Sequence, residues 1–146
     1  MKTRNFLLFM LAFLGLGAIG GGGVLIISPS GEWMGMPLSM LDNSPFGSFL
    51  IPGIVLFTVL GVFPCLLIYA LIKKPKWSFP EFFNFFRDMH WAWTFTIYVD
   101  FALIIWIQTE MLILRDVHWA HTLYMSVAMI MLFVALLPQV RSFYKK

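Results

Sequence analysis

The sequence predicts an all-α integral membrane protein: a bundle of four transmembrane helices with a short cytoplasmic interfacial helix. Three observations predict it. The 146-residue chain is 60% hydrophobic and only 12% charged, whereas a soluble domain carries about 25% charged residues. No Asp, Glu, Lys or Arg occurs from Asn5 to Ile27 or from Asn43 to Ile72, and 117–137 has none besides the titratable His118 and His121. Each run, together with Trp91 to Leu114, reaches the roughly 20 residues that a spanning helix needs at about 1.5 Å per residue.

Spans are therefore expected at about 5–27, 46–72, 91–114 and 117–137, with an outer loop at 28–45, in a single membrane domain over 1–146. This arrangement leaves no room for a soluble domain. Nine of the ten Lys and Arg residues precede span one, lie between spans two and three, or follow span four; only Arg115 is on the other side. The positive-inside rule then places both termini in the cytoplasm of a cell (inner) membrane. The basic residues flank spans, so the pI of about 9.2 reports orientation and not nucleic-acid binding.

Span one opens "MKTRNFLLFMLAFLGLGAIGGGG", with the basic start of a secretory signal. The apolar run continues into "VLII" with no A-x-A-like site before it, so a retained helix is expected. Gly17 and Gly21 have small-xxx-small spacing, which in lipid lets helix backbones approach closely. In the outer loop, Trp33, Met34, Met36, Met40 and Leu41 predict a segment folded back over the bundle. Ser44 and Pro45 suit an N-cap and first turn for span two, and Pro52 and Pro64 predict bends in it. Cys65, the single cysteine, lies within that span and reads as a small apolar filler.

Between spans two and three, Pro80 and Glu81 suit a first helical turn. A helix over about 80–90 would put Phe82, Phe85, Phe86 and Met89 on one face and Glu81, Asn84, Arg87 and Asp88 on the other. With three lysines just upstream, that helix is expected to lie on the lipid surface, docking on a partner subunit being the alternative.

The polar residues inside spans are the candidates for chemistry. Asp100 lies about 14 Å along span three, where an ionised Asp costs roughly 2.5–3.5 kcal/mol. It is expected to be neutral, hydrogen-bonded or paired, with Thr58 as candidate partner. Spans three and four form a hairpin with its tip at Arg115 and Asp116, which sets Glu110 level with His121. His118 shares a helical face with His121. Glu32, Asp42 and Arg115 fall on the same outer side. A Glu with two His is a candidate divalent-metal set, Glu110, His118 and His121, and equally a candidate proton-handling cluster. His90 is at the opposite membrane side from His118 and His121, so a bis-histidine haem within one chain is disfavoured. The sequence identifies no cofactor.

The stretch "GGGGVLIISPSGEWMGMPLSMLDNSPFGSFLIPGIVLF", with its Pro-Ser-Gly, Gly-Met-Pro-Leu and Ser-Pro-Phe…Ile-Pro-Gly pieces, resembles small bacterial four-helix membrane proteins. In size and span count these are broadly DoxX-like. The resemblance implies no chemistry for particular residues.

Three functional readings follow. The leading one is a small multi-pass binding or accessory subunit, homo-oligomeric or joined to a partner membrane subunit, with an extracytoplasmic polar cluster. The second is a membrane enzyme or redox component acting on a lipid-soluble substrate such as a quinone. The third is a proton- or ion-conducting oligomer that uses Asp100.

Overall fold

The computed structural model describes residues 2–146. Helix α1 runs from Lys2 to Ile27. The chain then passes through 3-10 turns at Glu32–Met34 and Leu38–Leu41. Helices α2 (Leu50–Phe57) and α3 (Phe63–Lys73) flank a π turn, Thr58–Val62, and together make one long helix. The short α4 (Ser78–Phe82) precedes α5 (Trp91–Leu114), α6 (Trp119–Leu136) and α7 (Pro138–Tyr144). Four helices, Lys2–Ile27, Leu50–Lys73, Trp91–Leu114 and Trp119–Leu136, are long and apolar enough to cross a membrane.

Helix α1 packs most extensively on the second long helix and also on α6, while α5 packs on α6 and α3. The buried residues of α1 recur at helical spacing: Leu7, Leu11, Leu14, Ala18, Gly22 and Leu25. Its backbone-to-backbone approach does not run through the expected Gly17 and Gly21, although a Cβ on Gly17 would collide with the Tyr124 hydroxyl of α6. A Cβ on Gly22 would come within 2.6 Å of the Phe57 nitrogen, and one on Gly53 within 2.8 Å of the Leu25 Cβ. A Cβ on Gly21 would make only ordinary contact, 3.7 Å from Leu56. The helix has turned by one residue, so Gly15, Ala18 and Gly22 meet Gly53 and Gly61 backbone to backbone.

The second long helix starts at Leu50, not near residue 46. Ser44 does not cap it. Its hydroxyl donates to the Leu41 carbonyl (2.8 Å) and accepts from the Phe46 N–H (3.2 Å), closing a turn within the loop. Pro52 is consequently the third residue of α2, where a missing N–H costs no helix bond. It produces no break. The irregularity lies just ahead of Pro64 instead, in the π turn, because proline has no N–H for the carbonyl four residues back.

The expected helix over 80–90 is replaced by the five residues of α4 and a series of turns. Asn84 is the reason. It is fully buried, and its amide donates to Glu81 Oε1 (3.0 Å) and the Met89 carbonyl (2.8 Å). Its oxygen accepts from the Phe86 N–H (3.1 Å) and the Thr94 hydroxyl (2.5 Å). Four bonds fill the capacity of the amide, and such side chain-to-backbone bonding competes with helix. The supposed apolar face is split as a result: Phe82 and Phe85 are exposed, while Met89 is buried.

Helix α7 returns the chain to this same basic end. Met89 pairs with Lys145 as an antiparallel bridge, the His90 N–H donates to the Tyr144 carbonyl (2.8 Å), and the Lys146 N–H donates to the Asp88 carbonyl (2.9 Å). Lys74 donates to the Phe143 carbonyl and lies 3.7 Å from the centroid of the Phe143 ring. The Tyr144 hydroxyl donates to the Leu71 carbonyl at 3.2 Å. Burial pushes that hydroxyl up to about 12, so it stays a donor at neutral pH.

Candidate functional site

At the opposite end, Arg115 takes a left-handed conformation (φ 52°) that ends α5 and turns the chain toward α6. His118 caps α6. Its Nδ1 accepts from the Ala120 N–H (3.3 Å), and His121 Nδ1 accepts from the His118 N–H (3.0 Å). An Nδ1 that accepts carries no proton, so in the neutral ring the proton of His121 sits on Nε2. That Nε2 lies 3.5 Å from Glu110 Oε2. The cap thus orients the imidazole, and the tight hairpin brings the carboxylate of α5 to it. His121 is buried and Glu110 partly so.

Glu110 also walls a cavity of 110 Å³ between α1, α5 and the folded loop. Leu25, Leu41, Phe49, Trp106 and Ile113 form most of its surface, and Glu110 is its one ionisable side chain. The loop roof is held by the Phe49 N–H, which donates to the Pro29 carbonyl (2.9 Å), and by a small apolar cluster of Leu25, Leu41 and Phe49. At roughly 30 Å³ per water, the space takes three or four waters or one small chemical group. A carboxylate facing an apolar wall, backed by an imidazole N–H, can accept a proton or a hydrogen bond from such a group.

The other sequence candidates do not converge there. Glu32, Asp42 and Arg115 are exposed. His118 is exposed, its Nδ1 is committed to the cap, and its ring centroid is 6.4 Å from that of His121. Among the described residues, no group of three or more His, Cys, Asp or Glu is placed to hold a metal ion. Asp100 is fully buried, and among the described residues neither of its oxygens has a hydrogen-bond partner. Thr58 is not its partner: it is exposed, and its hydroxyl donates to the Ile54 carbonyl at 2.7 Å.

Two features of the basic end were not read from the sequence. One is the Asn84 hub, since a single Asn between phenylalanines carries no distinguishing signal. The other is an apolar groove of 630 Å³ bounded by α3, α4 and α5. The density of Phe, Trp and Tyr over residues 77–98 was its available trace. His90, next in the chain to the lining residue Trp91, is held below the usual histidine range by burial, against an opposing hydrogen bond to the Pro75 carbonyl.

No family model, curated protein or solved structure matches the chain.

Proposed function

We propose that the chain is a four-helix bundle integral to a cell (inner) membrane, both termini cytoplasmic, acting as a small binding or accessory subunit. Its recognition site is the outer end, where Glu110 and His121 receive a ligand or partner group beneath the folded loop. One observation carries this reading: the Glu110–His121 contact joins two helices at the wall of a roofed apolar cavity. A polar pair that served only to join helices would have no need of adjoining space. The segregation of nine of ten Lys and Arg supports the orientation. Large apolar side chains directed outward, such as Phe9, Leu16, Ile105 and Phe133, support insertion or subunit contact, since soluble monomers rarely expose such surface contiguously.

A second reading is an enzyme or redox component acting on a lipid-soluble substrate such as a quinone. The apolar lining around the Glu110 carboxyl favours it, because a quinol hydroxyl would find both an acceptor and greasy walls there. The proton- or ion-conducting reading has less support: it needs Asp100 on a wet path, and that side chain is enclosed.

Native mass spectrometry on gently extracted protein, with an absorbance spectrum of the same sample, separates these readings. The binding reading expects a small molecule or partner subunit held by wild type and lost from Glu110→Gln and His121→Ala. The same bound species on wild type and both variants, or none on any of them, would refute the site. A retained chromophore would move the assignment to the redox reading.

A further inference from the structure

The groove at the basic end is distinct from the Glu110 site and has a consistent chemistry along its length. Phe63 and Leu66 of α3 and Phe95 of α5 line it, together with Trp77, Phe83 and Trp91. Its polar atoms are already engaged. The Trp91 indole N–H donates to the Pro75 carbonyl (2.8 Å), and the Tyr98 hydroxyl donates to the Phe83 carbonyl (2.8 Å) while accepting from the Phe85 N–H (3.3 Å). These bonds fix the aromatic walls, which leaves little for a polar ligand to bond to. The volume falls within the roughly 300–1,000 Å³ of small-molecule sites, so the groove suits a hydrocarbon chain.

The charged residues that flank this lining along the chain differ in character. Lys73 ends α3, Lys76 directly precedes Trp77, and Arg87 follows the Phe85–Phe86 pair; all three are exposed. Of the nearby acids, Glu81 is engaged by Lys146 and Asn84, which leaves Asp88 as the exposed counter-charge. Tyr69, Trp77 and Trp91 stack in a row, with centroid distances of 6.4 and 5.5 Å. Such amphipathic rings are enriched at headgroup level. Flanking basic residues, a row of stacked aromatic rings and an apolar groove bounded by α3, α4 and α5 match one molecule read from head to tail.

We propose that this groove binds one anionic phospholipid, its headgroup against Lys73, Lys76 and Arg87 and an acyl chain along Phe63, Leu66 and Phe95. The charge of these flanking residues selects an anionic over a zwitterionic headgroup, since basic residues near the membrane surface attract anionic lipids. The proposal rests on the four-span reading and is independent of the Glu110 site.

The test is native mass spectrometry of the purified chain titrated with phosphatidylglycerol or phosphatidylcholine in mixed micelles. One phosphatidylglycerol per chain is expected, retained about tenfold better than phosphatidylcholine. Lys73→Gln with Lys76→Gln should remove that preference without changing thermal stability, because neither side chain bonds elsewhere in the fold. Leu66→Trp should block the groove and reduce retention of both lipids. Equal retention of the two lipids by wild type, no retained lipid, or a chain dimer dispersed by Leu66→Trp would overturn the proposal. Two-sided labelling of Lys76→Cys in sealed vesicles tests orientation separately, so failed lipid binding is not confused with failed membrane topology.

Discussion

The two ends of the molecule are built on opposite principles. At the basic end, four chain segments are tied by bonds through Asn84, Trp91, Lys74, Tyr144 and the 88–90 backbone. At the loop end, one backbone bond from Phe49 to Pro29 and a small apolar cluster hold the roof, a Glu–His contact joins α5 and α6 beside it, and Glu32, Asp42 and Arg115 stay exposed. A saturated polar network specifies one arrangement and is costly to disturb. A lone pair beside a cavity can change partners at little cost. Under the proposed function, the contrast places stability at one end and recognition at the other, and substitutions should separate the two.

The largest effect is expected at Asn84. Asn84→Ala strands the Met89 carbonyl and the Thr94 hydroxyl in buried surroundings, at about 1–3 kcal/mol per unsatisfied group. Thermal unfolding in detergent should fall by many degrees; an unchanged midpoint would mean the hub does not organise this end. Next is the helix crossing. Gly22→Ala forces the two backbones apart and should cost about 1–3 kcal/mol, whereas a Cβ on Gly20 meets nothing within 4 Å. Gly20→Ala should be neutral, or more stable by up to about 1 kcal/mol through helix propensity. If the two variants unfold alike, α1 is rotated from the position described.

Glu110→Gln should change stability by less than about 1 kcal/mol, since a neutral amide fits the same wall and still meets the imidazole. Ligand retention should nevertheless be lost. A stability loss as large as that of Asn84→Ala would make the pair structural and erase the contrast between the ends.

The smallest effect concerns the Lys146–Glu81 pair. Burial raises the Glu81 carboxyl, but hydrogen bonds from Lys146 and Asn84 outweigh it and hold the group below its usual range. Its contribution is therefore present at neutral pH and lost as pH falls through and below the ordinary carboxylate range. The exposed pair is worth little, so acid should loosen only the Lys146 N–H, seen as faster hydrogen exchange with no change in the helices.

The long helices were legible because apolar runs of this length have few alternatives, and hairpin symmetry about Arg115 put Glu110 and His121 at one level. What failed depended on side chains acting on the backbone of other segments. Asn84 looks like a polar-face residue in a helical projection, yet its four bonds reach Thr94 and Met89 and end the helix. Ser44 and Pro45 form a credible cap, but Ser44 closes a loop turn and the helix starts later. The wider outer cluster was drawn by depth alone. Depth places Glu32, Asp42, Arg115 and His118 at one end without bringing them into contact.

The proposed site depends most on Glu110 and His121 acting as one unit, and nitrogen NMR of the His121 ring in micelles tests this directly. Wild type should show Nδ1 unprotonated and the proton on Nε2, with the Nε2 resonance displaced in Glu110→Gln and the Nδ1 resonance held in place by the cap. A ring whose spectrum is identical in wild type and Glu110→Gln, or whose proton resides on Nδ1, would contradict the pair and the site built on it.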